Sequence, residues 1–260
     1  MASSESWQAI FDYCVPYDWN FDVRPFFITA QQIKLACQDF RDTSQKEVRI
    51  LCKQDTRESR PNVFIAKGLF LLPVRNGEYA IIKGEGYVDI LEIESPIEVY
   101  DSKLDFVLDS VEVGNSEMQH VDFAYASSLI RTFMDDPSLV MTIRGRKYTP
   151  EFSFRVGVHD ISVKSVQTEV DAGYEGRNKI VLIEAKNSTT KNTIIRQLYY
   201  PFMQWKEQTY KDVSLLFFEK RADLYLIWQY GFEDNDDYNS IKLIRSARYT
   251  INSPQNRRNG

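Results

Sequence analysis

The run Ile180-Val-Leu-Ile-Glu-Ala-Lys186 sets an acid and a base two residues apart at the end of an otherwise apolar segment, with Asp171 upstream. Read as a buried strand, the segment carries two charges that are costly to desolvate alone, and a metal ion and a phosphate would supply their partners. Side chains alternate along a strand, so Glu184 and Lys186 share one face while Val181, Ile183 and Ala185 take the other. The turn-rich stretch Gly173-Tyr-Glu-Gly-Arg-Asn178 folds the chain back and sets residues 169–171 opposite roughly residues 182–184, bringing Asp171 to Glu184. The expected result is two carboxylates and one ammonium converging at one strand end.

Hard oxygen ligands suit Mg²⁺, with Mn²⁺ as a substitute, because the ion keeps several waters and accepts phosphate oxygens. Asp171 and Glu184 are the expected metal acids, the backbone carbonyl of Ala185 a further ligand, and Glu169, two residues before Asp171 on the same face, an additional or substitute acid. Lys186 is expected to neutralise developing charge and to position or deprotonate the attacking water. An Asp followed later by Glu-x-Lys recurs by chance, so the context carries weight: an apolar strand before the Glu, a glycine-bearing turn between, and a helix after. On that helix, expected over residues 191–208, Gln197 and Tyr200 lie three apart and Arg196 and Tyr200 four apart, so these groups cluster on neighbouring turns. Pro201 would bend the helix near Gln197 and aim its amide inward. The plainer reading is that Tyr199, Phe202 and Trp205 pack the helix on a sheet while Arg196 is solvated.

The stretches Glu169-Val-Asp-Ala-Gly-Tyr-Glu-Gly176, Ile183-Glu-Ala-Lys-Asn187 and Arg196-Gln-Leu-Tyr-Tyr-Pro201 resemble the PD-(D/E)XK nuclease superfamily, and within it type II restriction endonucleases. The superfamily's metal-binding Asp maps to Asp171, its second acid to Glu184 and its lysine to Lys186. Val170 departs from the pattern, since many members have proline there, but that position is not a ligand. The resemblance covers roughly residues 140–250 and is fainter before them. It implies a mixed central sheet flanked by helices and Mg²⁺-dependent hydrolysis of phosphodiester bonds in double-stranded DNA at a short specific sequence. In related nucleases a glutamine and a tyrosine on the following helix line the site. A homodimer is expected, because twofold-related sites address two antiparallel strands, and so is a cognate DNA methyltransferase. The alternatives are a structure-selective repair, recombination or mobile-element nuclease, and a catalytically inactive DNA-binding protein.

The remaining elements must position this site. Strands are expected over residues 151–158, 161–171, 179–186, 213–218, 224–230 and 240–245, with a helix over 118–134 stopped by Asp135-Asp136-Pro137, giving an α/β (α+β mixed) sandwich over residues 113–252. Residues 1–112 read as a separate α+β domain. Thr29 caps a helix through Gln38 with Ile33 and Leu35-Ala36 inward, an apolar stretch runs Val48 to Cys52, and a short helix covers 62–67. Asn76-Gly77 between two apolar runs signals a hairpin, and helices followed by such a wing suggest a winged-helix DNA reader. Residues 253–260 read as a loose tail.

With 37 acidic and 32 basic side chains the net charge is −5, so no general polycationic affinity for nucleic acid or anionic membranes is implied and any DNA contact must come from local basic patches. Arg144, Arg146 and Lys147, read as a loop before the catalytic strands, form one such patch. Lys53, Arg57 and Arg60 form another, beside Gln31, Gln32 and Lys34 on the nearby helix, and Arg196 is a further candidate. The only histidines, His120 and His159, lack partners at ligand spacing, and Cys14, Cys37 and Cys52 form no CxxC pair, which argues against zinc and disulfides. Glu233-Asp-Asn-Asp-Asp237 lacks the glycine and terminal Glu of a calcium loop and reads as a solvated turn. No apolar run reaches membrane-spanning length, and a reducing cytoplasm is the expected location.

Overall fold

A computed structural model describes residues 2–254. Its amino-terminal part comprises α1 (Ala2–Cys14), β1 (Phe26–Thr29), α2 (Ala30–Ala36), α3 (Thr43–Lys46), α4 (Val48–Leu51), α5 (Asn62–Lys67) and the hairpin β2 (Leu69–Arg75) and β3 (Glu78–Lys83). Next come β4 (Tyr87–Asp89), β5 (Glu98–Asp101), α6 (Glu117–Ala126), α7 (Leu129–Phe133), β6 (Val140–Tyr148), and the pair β7 (Phe152–Val156) and β8 (His159–Val163). The last third runs β9 (Gln167–Glu175), β10 (Lys179–Lys186), β11 (Asn192–Ile194), α8 (Arg196–Lys206), β12 (Asp212–Arg221), β13 (Leu224–Phe232) and β14 (Ile241–Asn252).

The architecture is mixed α+β around a seven-stranded mixed sheet of order β5-β14-β13-β12-β10-β9-β6. β10 and β12 run parallel, in register from Lys179 opposite Asp212 to Lys186 opposite Glu219, and α8 supplies the crossover that a parallel pair requires. Strict alternation along β10 explains its continuous apolar run. Val181, Ile183 and Ala185 pack with α6 and α7 residues such as Val121, Leu129 and Ile130 on one face. Ile180 and Leu182 pack with Leu198, Tyr199, Leu215 and Phe217 on the other.

The amino-terminal strands form a three-stranded antiparallel sheet of order β1-β3-β2. It too is covered on both faces: Phe70, Leu72, Val74 and Ile82 join the core beneath α8, while Leu69, Leu71 and Ile81 join Trp7, Ile33 and Phe64 among the helices. Two strands that precede residue 112 pair with elements that follow it, β4 with β11 and β5 with β14.

Several local expectations are met and several are revised. Asn76-Gly77 turns the β2–β3 hairpin, with Gly77 at φ +76° as such a turn demands. Thr29 caps α2 in a capping box with Gln32, but the helix ends at Ala36, and Leu35 is 45% exposed, so Ile33 alone points inward with full burial. The stretch from Val48 is the one-turn helix α4. The helix expected over 118–134 divides at Ser128, whose φ of +67° breaks the ladder into α6 and α7. The strand expected over 161–171 divides at Ser165, φ +57°, into the end of β8 and the start of β9. The helix expected from residue 191 begins at Arg196, because residues 192–194 pair with β4 instead. Arg144 to Tyr148, expected in a loop, lie on the edge strand β6. Of the expected tail, Ser253 is buried, and residues 255–260 lie outside the described residues.

Candidate active site

The β9–β10 hairpin pairs Ile180 with Glu175, Leu182 with Gly173 and Ile183 with Ala172, so one further step sets Asp171 opposite Glu184 on the same face. Gly173 belongs to this geometry, since a Cβ there would sit 2.6 Å from Cβ of Ile143 on the neighbouring strand and push β6 off β9. Asp171 Oδ2 accepts from the backbone N–H of Ala185 at 2.8 Å, locking the two strand ends together. Lys186 Nζ donates to Glu184 Oε1 at 2.5 Å and to the Ala185 carbonyl at 3.1 Å. The expected convergence of Asp171, Glu184, Ala185 and Lys186 is thus present.

Glu184 is buried at the foot of a cavity of about 260 Å³ that Thr168, Glu169, Asp171, Arg196 and Gln197 also line. Burial pushes the Glu184 carboxyl up to about 7; the Lys186 charge opposes this and the charges of Asp171 and Asp55 add to it. For Lys186 burial works downward, but the Glu184 charge and hydrogen bond outweigh it and hold the ammonium above its ordinary value. A lysine so held keeps its proton, which favours charge neutralisation over abstraction of a proton from water.

Each site carboxylate has one oxygen hydrogen-bonded within the protein and lines the cavity. Among the described residues no group of three or more His, Cys, Asp or Glu side chains is placed to hold a metal ion, so any ion here rests on two acids. That donor set fits Mg²⁺, which is held by one or two carboxylates and keeps its waters, better than an ion needing a full protein cage. The raised Glu184 carboxyl agrees, because a buried acid beside a second acid is stabilised by a cation.

Gln197 lines the cavity from the first turn of α8, its Oε1 accepting from Thr193 Oγ1 at 2.7 Å. Pro201, inside the helix, lines it as well, and the helix continues to Lys206. Tyr200 does not reach the site; it is buried in the core and donates to the Pro73 carbonyl at 2.9 Å. Tyr199 likewise packs against Phe154, Phe232 and Tyr238. Arg196 is not solvated: its side chain is 23% exposed and stands in the cavity wall. Glu169 lines the same cavity and pairs with Arg146 at 3.2 Å.

The DNA-contact candidates separate into free and engaged groups. Arg144 pairs with Asp122 of α6, on the opposite side of the sheet from the site, and Lys147 Nζ lies 6.0 Å from the Trp205 ring. Arg57 is tied to Asp89, to Glu85 at 3.3 Å and to the Tyr87 carbonyl at 3.3 Å. Arg60 donates to the carbonyls of Arg57 and Leu69, both at 3.1 Å, so both arginines brace the protein internally. Gln32 Oε1 is engaged in the α2 cap. Gln31 and Lys34 are exposed on α2, and Lys53 is exposed beside Asp55 at 3.8 Å.

Two acids near the site escaped the sequence reading. Asp55 comes from the amino-terminal part, and nothing in its local pattern points to residues more than a hundred positions away. Glu219 ends the apolar stretch Leu215–Phe218 of β12 as Glu184 ends that of β10, so the signal that found one was present for the other.

Fold and site together define a mixed α+β protein with acids and a lysine gathered at one end of its central sheet. Residues 82–250 match the family described as "Domain of unknown function (DUF6997)", and the chain belongs to it; residues 4–81 match "Domain of unknown function (DUF6996)". The two matches meet inside β3, within one hydrogen-bonded sheet. No curated protein and no solved structure matches the chain. No helix among the described residues is long and apolar enough to cross a membrane.

Proposed function

We propose that this chain is a Mg²⁺-dependent nuclease with a PD-(D/E)XK core, acting as a type II restriction endonuclease on double-stranded DNA. The observation that carries the reading is the convergence of Asp171, Glu184 and Lys186 at one strand end, the two acids lining a cavity walled by Arg196 and Gln197. The placement of the acid on β9, of Glu-x-Lys on β10, and of α8 across the parallel β10–β12 pair supports a PD-(D/E)XK core. The order helix, strand, helices, hairpin, with β3 returning beside β1, supports a winged-helix reader in the amino-terminal part.

Asp171 and Glu184 would hold the ion, with the Ala185 carbonyl as a third oxygen; when bound, it supplies positive charge against the scissile phosphate and acidifies water. Lys186, kept cationic by Glu184, would neutralise the negative charge that develops on the phosphodiester. Gln197, its carbonyl oxygen occupied by Thr193, presents its amide N–H groups as donors to a phosphate oxygen or the attacking water. Arg196 offers a planar fork to the phosphate. A homodimer acting at symmetric sites, a host methyltransferase protecting those sites and a cytoplasmic location belong to the same reading.

The test is incubation of the purified chain with unmethylated plasmid and genomic DNA, with and without Mg²⁺, beside Lys186→Ala, with fragment ends sequenced. Discrete Mg²⁺-dependent fragments sharing one end sequence, absent with the variant, are expected. Cleavage confined to branched substrates would replace the restriction reading with a structure-selective one. Cleavage undiminished in Lys186→Ala would remove the site assignment.

A further inference from the structure

Arg196 is the least satisfied cation in the site. Among the described residues its fully enclosed Nε has no hydrogen-bond partner, and the one ion pair it makes there, Nη2 to Asp55 Oδ1, spans 3.9 Å, beyond hydrogen-bond reach. A guanidinium carries five N–H donors, and one that is three-quarters withdrawn from water without a hydrogen bond waits for an acceptor. It stands in the wall of a cavity whose other charged groups, Glu169, Asp171 and Glu184, are acids. Left free, it would collapse onto them and neutralise the site.

Asp55 opposes that collapse from outside the cavity. The carboxylate belongs to the segment between α4 and α5, and backbone and side-chain bonds fix that segment against β11, which leads into α8. Ile194 N donates to the Asp55 carbonyl at 2.9 Å, Arg57 N donates to Asn192 Oδ1 at 2.7 Å, and Asn192 Nδ2 donates to both Glu58 oxygens at 3.0 and 3.1 Å. On the other flank Tyr87 OH donates to the carbonyl of Gln54, the buried residue before Asp55, at 3.1 Å. Lys53, 3.8 Å from Asp55 Oδ2, is its only other ion-pair partner among the described residues, and is largely exposed. Asp55 also shares a groove with Lys186.

We propose that Asp55 is a positioning residue for Arg196: it holds the guanidinium in the cavity wall, away from the cavity's own acids, so that phosphodiester binding depends on the amino-terminal part of the chain. The proposal rests on the nuclease reading above. A substrate phosphate then meets an arginine already aimed, and the long ion pair leaves its donors available to that phosphate. The amino-terminal part thereby completes the site in addition to any contact it makes with DNA.

The experiment uses the full chain and the duplex oligonucleotide identified by the cleavage assay, with Asp55→Asn, Asp55→Glu, Arg196→Gln and the double variant Asp55→Asn/Arg196→Gln. Asp55→Asn is expected to raise KM about tenfold while kcat changes less than about threefold, and Asp55→Glu to recover most of the loss. The double variant is expected to be no worse than Arg196→Gln alone, because both remove one unit. Additive losses, or an Asp55→Asn enzyme equal to wild type beside an impaired Arg196→Gln, overturn the proposal and leave the nuclease reading standing. A wild-type chain that cuts no DNA overturns the nuclease reading and the proposal with it. Should Asp55→Asn fail to fold, the same cycle is run with Asp55→Ser, which keeps a small polar group at the junction.

Discussion

Two clusters of buried charge lie side by side at the same end of the central sheet, and they are built on opposite principles. In the parallel register Lys186 stands opposite Glu219. Glu219 is fully enclosed, yet its Oε2 accepts from Arg221 Nε at 2.6 Å and its Oε1 from Thr190 N at 2.8 Å. Arg221 in turn donates to both oxygens of Glu92 at 2.9 Å and lies 5.9 Å from the Trp228 ring. In that cluster the acid and the base answer each other and pin the loop after β10. One strand away, Glu184 is pushed toward neutrality, Asp171 faces it, and Arg196 Nε has no hydrogen-bond partner among the described residues. Buried charges that satisfy one another hold structure, whereas buried charges left in conflict are stable only where a ligand resolves them.

The contrast breaks most visibly if one residue of each cluster is removed. Lys186→Ala is expected to lower single-turnover cleavage by about a thousandfold with little change in stability, since it removes transition-state charge while Glu184, left without its ion pair, takes up the proton that burial already favours. Glu219→Ala is expected to do the reverse, costing about 3 kcal/mol in denaturant unfolding because it strands Arg221 without its buried partner. Equal effects on stability from the two changes would dissolve the distinction.

Acidity sharpens the comparison. The folded protein holds the Glu184 proton up to about pH 7, whereas the unfolded chain releases it near the ordinary value of 4.5. Stability from that proton is therefore complete below about 4.5 and is lost as pH rises through about 7. Thermal midpoints in EDTA should show Glu184→Gln gaining on wild type across that window, and added Mg²⁺ should stabilise wild type more at about pH 8 than at about pH 5.5, because binding needs the ionised acid. A midpoint difference independent of pH would show that Glu184 is not held protonated.

The smallest effect belongs to the exposed rim. Arg146→Ala breaks only an exposed ion pair with Glu169 and should change stability by no more than about 0.5 kcal/mol. In duplex-binding titrations it should reduce the slope of log affinity against log salt by about 1 if Arg146 meets a phosphate. An unchanged slope would confine Arg146 to its pairing with Glu169.

Local pattern determined more than half of this site. The apolar run ending in Glu184 and Lys186, the glycine-bearing turn, and Gln197 on the helix that follows were all legible, because a two-residue period and a hairpin fold are set by neighbours in sequence. So were the Thr29 cap and the Asn76-Gly77 turn. The breaks at Ser128 and Ser165 were not, since each is a single left-handed non-glycine residue, and Ser165 is tied by its backbone N–H to the carbonyl of Thr149, sixteen positions away. Tyr200 was read toward the site because its spacing from Gln197 allowed it; the core and the Pro73 carbonyl took it instead.

By itself, the sequence determined which strands are buried, which residue types end them, and that acids and a lysine share one face at residues 171–186. Only the tertiary structure decided that Arg57 and Arg60 are braced internally, that Arg196 Nε is enclosed with no hydrogen-bond partner among the described residues, and that Asp55 reaches this arginine across the chain. The physical reason is range. Alternation and turns depend on residues a few positions apart, whereas the satisfaction of a buried charge depends on whatever group the fold brings within a few ångströms, from any distance along the chain.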